Sequence, residues 1–160
     1  MRTNAALSLL ALCILALLSA CGSTKPAATT AAPAAPEPPA PPTGPTARLH
    51  DVWALDRLGD EAYAPVDGLE HPTLELNLTD MRALGTDGCN RFTGSIMEVS
   101  ATTLRIGPLA GTRKLCRVGR DVTDGFNDAL AQTTSYRLGG GGLTLVGSGG
   151  EALAVLRHVD

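Results

Sequence analysis

The sequence predicts an α+β fold: a mostly antiparallel β-sheet or half-barrel of short strands, with one amphipathic helix packed on it. Three observations carry this. Residues 73–79 alternate strictly, with Leu74, Leu76 and Leu78 on one side and Glu75 and Asn77 on the other, the pattern of a strand with one buried face. Val122, Phe126, Ala129 and Leu130 recur at helical spacing while Asp121, Asp124 and Asp128 fall elsewhere, which gives a helix with one apolar stripe. Glycines at 139–142 and 147–150 separate further alternating stretches, as hairpin loops needing positive φ require. Many short strands beside few helices suit a small barrel or half-barrel.

The chain opens on a different kind of segment. Arg2 is followed by an apolar run over residues 5–18 and then by Leu18-Ser19-Ala20-Cys21. The run is too short to span a bilayer comfortably and reads as the h-region of a secretory signal. Leu-Ser-Ala-Cys has the form of a bacterial lipobox, so residues 1–20 are expected to be removed and Cys21 to carry lipid. Two or three acyl chains, each contributing about 0.8 kcal/mol per buried methylene, would then hold the protein on a membrane. Gly22, which is not Asp, fits the outer-membrane sorting class if the host is Gram-negative.

Residues 21–47 read as a tether. Eight of the chain's 11 prolines lie here, mixed with Ala and Thr, and such composition favours extended polyproline II over a core. Residues 48–160 form the folded domain, long enough for a single core. After residues 73–79, weaker alternation marks strands at 52–55, 81–86, 94–99, 103–106, 135–138, 143–146 and 152–156. The helix covers residues 121–132; acidic residues in its first turn suit the positive end of the dipole, and Gly125 works against it.

Charge and cysteine content narrow the function. A formal net charge of −3, one unit more negative once Arg2 leaves, argues against a general nucleic-acid binder and does not suggest a polybasic membrane patch. No internal repeat and no second membrane-length apolar segment are present. Of four cysteines, Cys13 leaves with the signal and Cys21 takes lipid, so Cys89 and Cys116 remain. An even pair in an exported domain suggests a disulfide; two buried free thiols or one reactive thiolate are the alternatives.

The segment Gly88-Cys89-Asn90-Arg91-Phe92-Thr93-Gly94, then Leu104, Gly107-Pro108-Leu109 and Thr112-Arg113-Lys114-Leu115-Cys116, resembles the META domain family, the HslJ-like lipoproteins. The resemblance runs on through the helix and Ser135-Tyr136-Arg137-Leu138 to Leu143-Thr144-Leu145 and Leu153-Ala154-Val155-Leu156, and starts near Trp53. It implies a compact antiparallel β fold with a helix, an envelope location, and an association with stress tolerance, heat induction and antibiotic resistance. It implies no catalytic activity. One departure is visible, Lys114 standing where family members commonly carry Met or another apolar residue.

Within that resemblance, Gly88, Asn90, Arg91, Phe92, Gly94, Thr112 and Arg113 read as an architectural motif. Gly88 and Gly94 suit a tight turn or bulge, and Asn90 can bond its own backbone or enter the left-handed region cheaply. Cys89 and Cys116 would staple neighbouring strands. Arg91, Arg113, Lys114, Arg117 and Arg120 either scatter as solvated charges paired with Asp87, Asp121 and Asp124, or gather into an anion-binding surface; the scattered arrangement is the expectation.

Enzyme signatures are weak. His50, His71 and His158 sit at the tether's edge, before Pro72 and in the tail, an arrangement that favours surface histidines over a shared site. Neither Cys-x-x-Cys nor a helical histidine pair occurs, and residues 139–142 lack the Lys-Ser or Lys-Thr and the helix of a phosphate loop. Nothing singles out a carboxylate pair for glycoside chemistry. No metal, cofactor, nucleic acid or small-molecule ligand is implied.

The sequence therefore points to a non-enzymatic envelope lipoprotein, attached to the membrane through Cys21 and serving envelope integrity, stress response or antibiotic tolerance. A second reading is a periplasmic binding module, such as a protease inhibitor or envelope-protein chaperone, whose exposed hairpin loops meet an unidentified envelope protein. An enzyme working through Cys89 or Cys116 as thiolate ranks third.

Overall fold

Alternation becomes a barrel wall. The computed structural model describes residues 43–159; the signal, Cys21 and most of the tether lie outside the described residues. Ten strands are present among the described residues: β1 (Val52–Leu58), β2 (Glu61–Ala62), β3 (Thr73–Asn77), β4 (Arg82–Thr86), β5 (Arg91–Val99), β6 (Leu104–Ile106), β7 (Ala110–Gly111), β8 (Ser135–Gly139), β9 (Gly142–Val146) and β10 (Ala152–His158). They pair antiparallel in the order β6-β5-β4-β3-β1-β10-β9-β8, with β2 added to β1 and β7 to β5. The two ends of this path meet. Thr103 bridges Ser135, the Tyr136 amide donates to the Thr102 carbonyl at 3.0 Å, and Leu104 N donates to Thr134 O at 3.3 Å. The sheet thus forms a nearly closed barrel, which leaves few unpaired edge groups.

Leu74 and Leu76 of β3 are fully buried while Glu75 between them is exposed. Leu78 stays buried just past the strand end, and the chain turns through Met81 in the left-handed region, φ 52°. Asp80 N donates to Asn77 Oδ1 at 3.0 Å and closes that turn. The β8–β9 hairpin has Gly140 and Gly141 at φ 59° and 79°, the pair of positive values that a two-residue hairpin matched to strand twist requires.

Helix α1 (Arg120–Gln132) lies against β1, β6, β9 and β10 and buries Thr123, Phe126, Ala129 and Leu130. Phe126 joins the barrel leucines in one core and faces Phe92 of β5 at 6.3 Å between ring centroids. The glycine inside the helix has a packing reason. A Cβ at Gly125 would stand 2.7 Å from Leu58 Cδ2, so the missing side chain admits Leu58 against the helix.

Three differences from the sequence reading have physical causes. A 3₁₀ helix (Gly44–Leu49) begins inside the expected tether, held where Leu49 is fully buried and its carbonyl accepts from Trp53 Nε1 at 3.2 Å. Strands β2 and β7 are two residues each, too short to show alternation. β5 starts at Arg91 rather than Gly94, because Gly94 lies within the strand opposite Ala83.

Candidate functional site

The motif residues gather at the β4–β5 turn, and Asp87 organises them. Its carboxylate is buried, and Oδ1 accepts from the amides of Cys89 at 2.9 Å and Asn90 at 2.6 Å. Oδ2 accepts from Asn127 Nδ2 on α1 at 2.8 Å, so one side chain caps the turn and ties it to the helix. Asp is suited to this because a short carboxylate reaches amides two and three residues ahead. Gly88 adopts φ 99°, and its carbonyl accepts from Glu70 N at 2.8 Å.

Asn90 clamps a distant segment. Its Oδ1 accepts from Thr112 Oγ1 at 2.9 Å and from Lys114 N at 2.6 Å, while Thr112 Oγ1 also accepts from Arg91 N at 3.2 Å. Cys89 and Cys116 are joined by a disulfide, with Cα atoms 6.1 Å apart. Both cysteines lie outside strands, so the bond links the β4–β5 turn to the loop before α1 and does not join two strands.

Other motif expectations also change. Asn90 uses its side chain across the fold, not on its own turn, and Met81 is the one non-glycine residue with positive φ among those described. Gly94 is no bulge: a Cβ there would meet Leu109 Cδ2 at 2.8 Å, so it makes room for the chain between β6 and β7. Phe92 is core. The Lys114 side chain is exposed, and it is the residue's amide that the Asn90 clamp holds. Asp87 does not pair with the arginines, being bonded to amides. Among the described residues, none of Arg91, Arg113, Lys114, Arg117 and Arg120 forms an ion pair with Asp121 or Asp124.

Beside the clamp runs a groove of about 930 Å³ between α1 and the β5–β7 wall. Arg91 and Arg113 line it, as do Asp124 and Asp128, one helical turn apart, with Ile106 and Leu109 among its apolar residues. It offers both signs of charge over a partly apolar floor, suited to an extended polypeptide or another zwitterionic ligand.

The histidines are dispersed. His50 Nδ1 accepts from Leu78 N at 3.0 Å, His71 Nε2 donates to Leu55 O at 2.7 Å, and His158 Nε2 lies 2.6 Å from Asp51 Oδ2. No group of three His, Cys, Asp or Glu side chains is arranged for a metal ion among the described residues. Burial pushes the Tyr63 and Tyr136 hydroxyls above their ordinary pKa, the Val66 backbone opposing it at Tyr63. Tyr136 donates to Ser100 O at 2.9 Å.

A META domain profile matches residues 47–160. The chain belongs to the META domain family. The META fold also recurs in two NMR structures. One shares 19% identity over 73% of this chain and 96% of its own, with TM-score 0.55. The other, a protein from Burkholderia xenovorans, shares 25% identity over 84% of this chain and 99% of its own, with TM-score 0.54. No curated protein matches. In this META domain, sequence reasoning missed Asn127 and read Asp87 as an ion-pair partner, not as the cap of the turn. Asp followed by Gly is a turn signal that could have marked Asp87; Asn127 lies 40 residues away, and nothing local links the two.

Proposed function

We propose that this META domain protein is a non-enzymatic lipoprotein of the cell envelope, anchored through Cys21 and acting in envelope integrity, stress response or antibiotic tolerance. In a Gram-negative host it would sit in the outer membrane facing the periplasm. The observation that carries the non-enzymatic reading is the use of the motif's polar groups. Asp87, Asn90 and Thr112 bond one another's segments and α1, an architectural role that occupies their hydrogen-bonding groups. The lipobox sequence at residues 18–21 supports the anchor.

Intact mass of membrane-extracted protein, with thiol alkylation before and after reduction, tests both halves. The expected result is an acylated chain starting at Cys21, with Cys89 and Cys116 alkylated only after reduction. A Cys21→Ala protein that still fractionates with membranes after a high-salt wash would sink the anchor. A rapidly alkylated Cys89 or Cys116 would return attention to thiolate chemistry.

The groove supports a second reading, a periplasmic binding module meeting another envelope protein. Its facing arginines and aspartates suit an extended segment carrying both charges. Crosslinking in cells should then trap one dominant partner, lost on replacing Asp124 and Asp128 with Asn; a diffuse background would count against it.

A further inference from the structure

We propose that residues 112–119, the loop clamped by Asn90 and the disulfide, form a docking surface for an anionic lipid bilayer. Four of the chain's 13 Lys and Arg residues fall at Arg113, Lys114, Arg117 and Arg120, with no carboxylate between Thr112 and Arg120, in a chain of net charge −3. All four are exposed. Arg91 lies beside them, its amide and carbonyl both bonded to Thr112. Asp87, at the adjoining β4–β5 turn, is buried and held by amides, whereas Asp124 and Asp128 face the groove that Arg91 and Arg113 also line. Asp121 and Asp124 follow on α1 without forming an ion pair to them among the described residues.

Between these cations the loop presents apolar surface. Leu115 is 79% exposed and Val118 48%, so folding leaves the first largely and the second about half in water. The loop is pinned on both sides of Leu115 and again at Gly119. Thr112 and Lys114 are held on Asn90, Cys116 is bonded to Cys89, and Gly119 packs against Leu69 and Val66. Leu115 is thus displayed between two anchored neighbours. Cations around a displayed Leu and Val suit a bilayer interface, where the charges meet lipid phosphates and the apolar side chains enter the headgroup boundary. An acidic polypeptide would match the charges alone.

The topology permits this contact in an anchored protein. The described chain enters beside the β3–β4 turn, where Asp51 O accepts from Leu76 N and His50 from Leu78 N. The loop lies by the β4–β5 turn, the length of β4 away, roughly 17 Å. The chain from Cys21 to Thr43 reaches at most about 75 Å, enough for the far end of the domain to meet the same bilayer. This geometry rests on the lipid-anchor reading; the chemistry of the loop does not.

The full chain, extracted from membranes, is placed on vesicles of phosphatidylcholine alone or mixed with phosphatidylglycerol. Flotation on the neutral vesicles reads the anchor by itself, and an excess of vesicles allows the second measurement if that anchor fails. Trypsin cleavage after Arg113, Lys114 and Arg117 is then followed by mass after reduction. Docking slows it by about tenfold or more on the anionic vesicles at low salt. A Leu115→Ser/Val118→Ser variant, which keeps every cleavage site, loses most of that protection while its near-ultraviolet circular dichroism stays native. Equal cleavage on both vesicles overturns the proposal. Protection by soluble polyglutamate but not by anionic vesicles also overturns it, in favour of an acidic protein partner.

Discussion

Three donors converge on the Asp87 carboxylate, the amides of Cys89 and Asn90 and the side chain of Asn127. Removing a buried acceptor leaves its donors unsatisfied, which costs more than the hydrogen bonds gave. Asp87→Ala is therefore expected to lower stability by about 2–4 kcal/mol, and Asn127→Ala by about 1 kcal/mol, in urea unfolding of the oxidised protein. Equal effects would mean that the helix contact, not the turn, carries the stability. Tyr136 sets a pH limit at the same scale. Burial raises its pKa, and that of Tyr63, above the ordinary 10.0, so the fold favours the neutral phenols. That contribution is complete below pH 10.0 and is lost as pH climbs through the raised values. Tyr136→Phe should flatten the fall of stability above that pH, measured as urea midpoints along an alkaline series.

Helix α1 shows how one element satisfies conflicting demands. Glycine in a helix interior costs up to about 1 kcal/mol relative to alanine, yet Gly125 is where Leu58 packs. Gly125→Ala should accordingly gain less than the helix propensity offers, because the Leu58 tip has to move. In a Leu58→Ala background the same change should gain most of that difference, and a double-mutant cycle by thermal melting measures the coupling. Phe126 carries the opposite sign. It is fully buried against Phe92 and the barrel leucines, and Phe126→Ala should cost about 3–5 kcal/mol.

At the scale of the molecule, two long-range connections hold the barrel: the meeting of β6 and β8 beside Thr103 and Ser135, and the Cys89–Cys116 disulfide across 27 residues. Constraining a loop of that length lowers unfolded-state entropy, so reduction should cost about 3–4 kcal/mol, read as a fall in Tm with and without reductant. An unchanged Tm would mean that the Asn90 clamp holds the loop unaided. Much of this architecture was legible in the chain. The alternation of residues 73–79, the helical spacing from Val122 to Leu130, the glycines of the β8–β9 hairpin and the cysteine pair are local or compositional signals, and secondary structure follows local periodicity. The family was legible too, through the motif residues that carry its resemblance. Tertiary structure alone decided the rest: that the sheet closes on itself, that Asp87 reaches Asn127, that Asn90 bonds Thr112 and Lys114, and that Leu115 stands out among cations. Each depends on contacts between residues far apart in sequence, whose pairing is chosen by packing of the whole core and leaves no periodic trace in the chain.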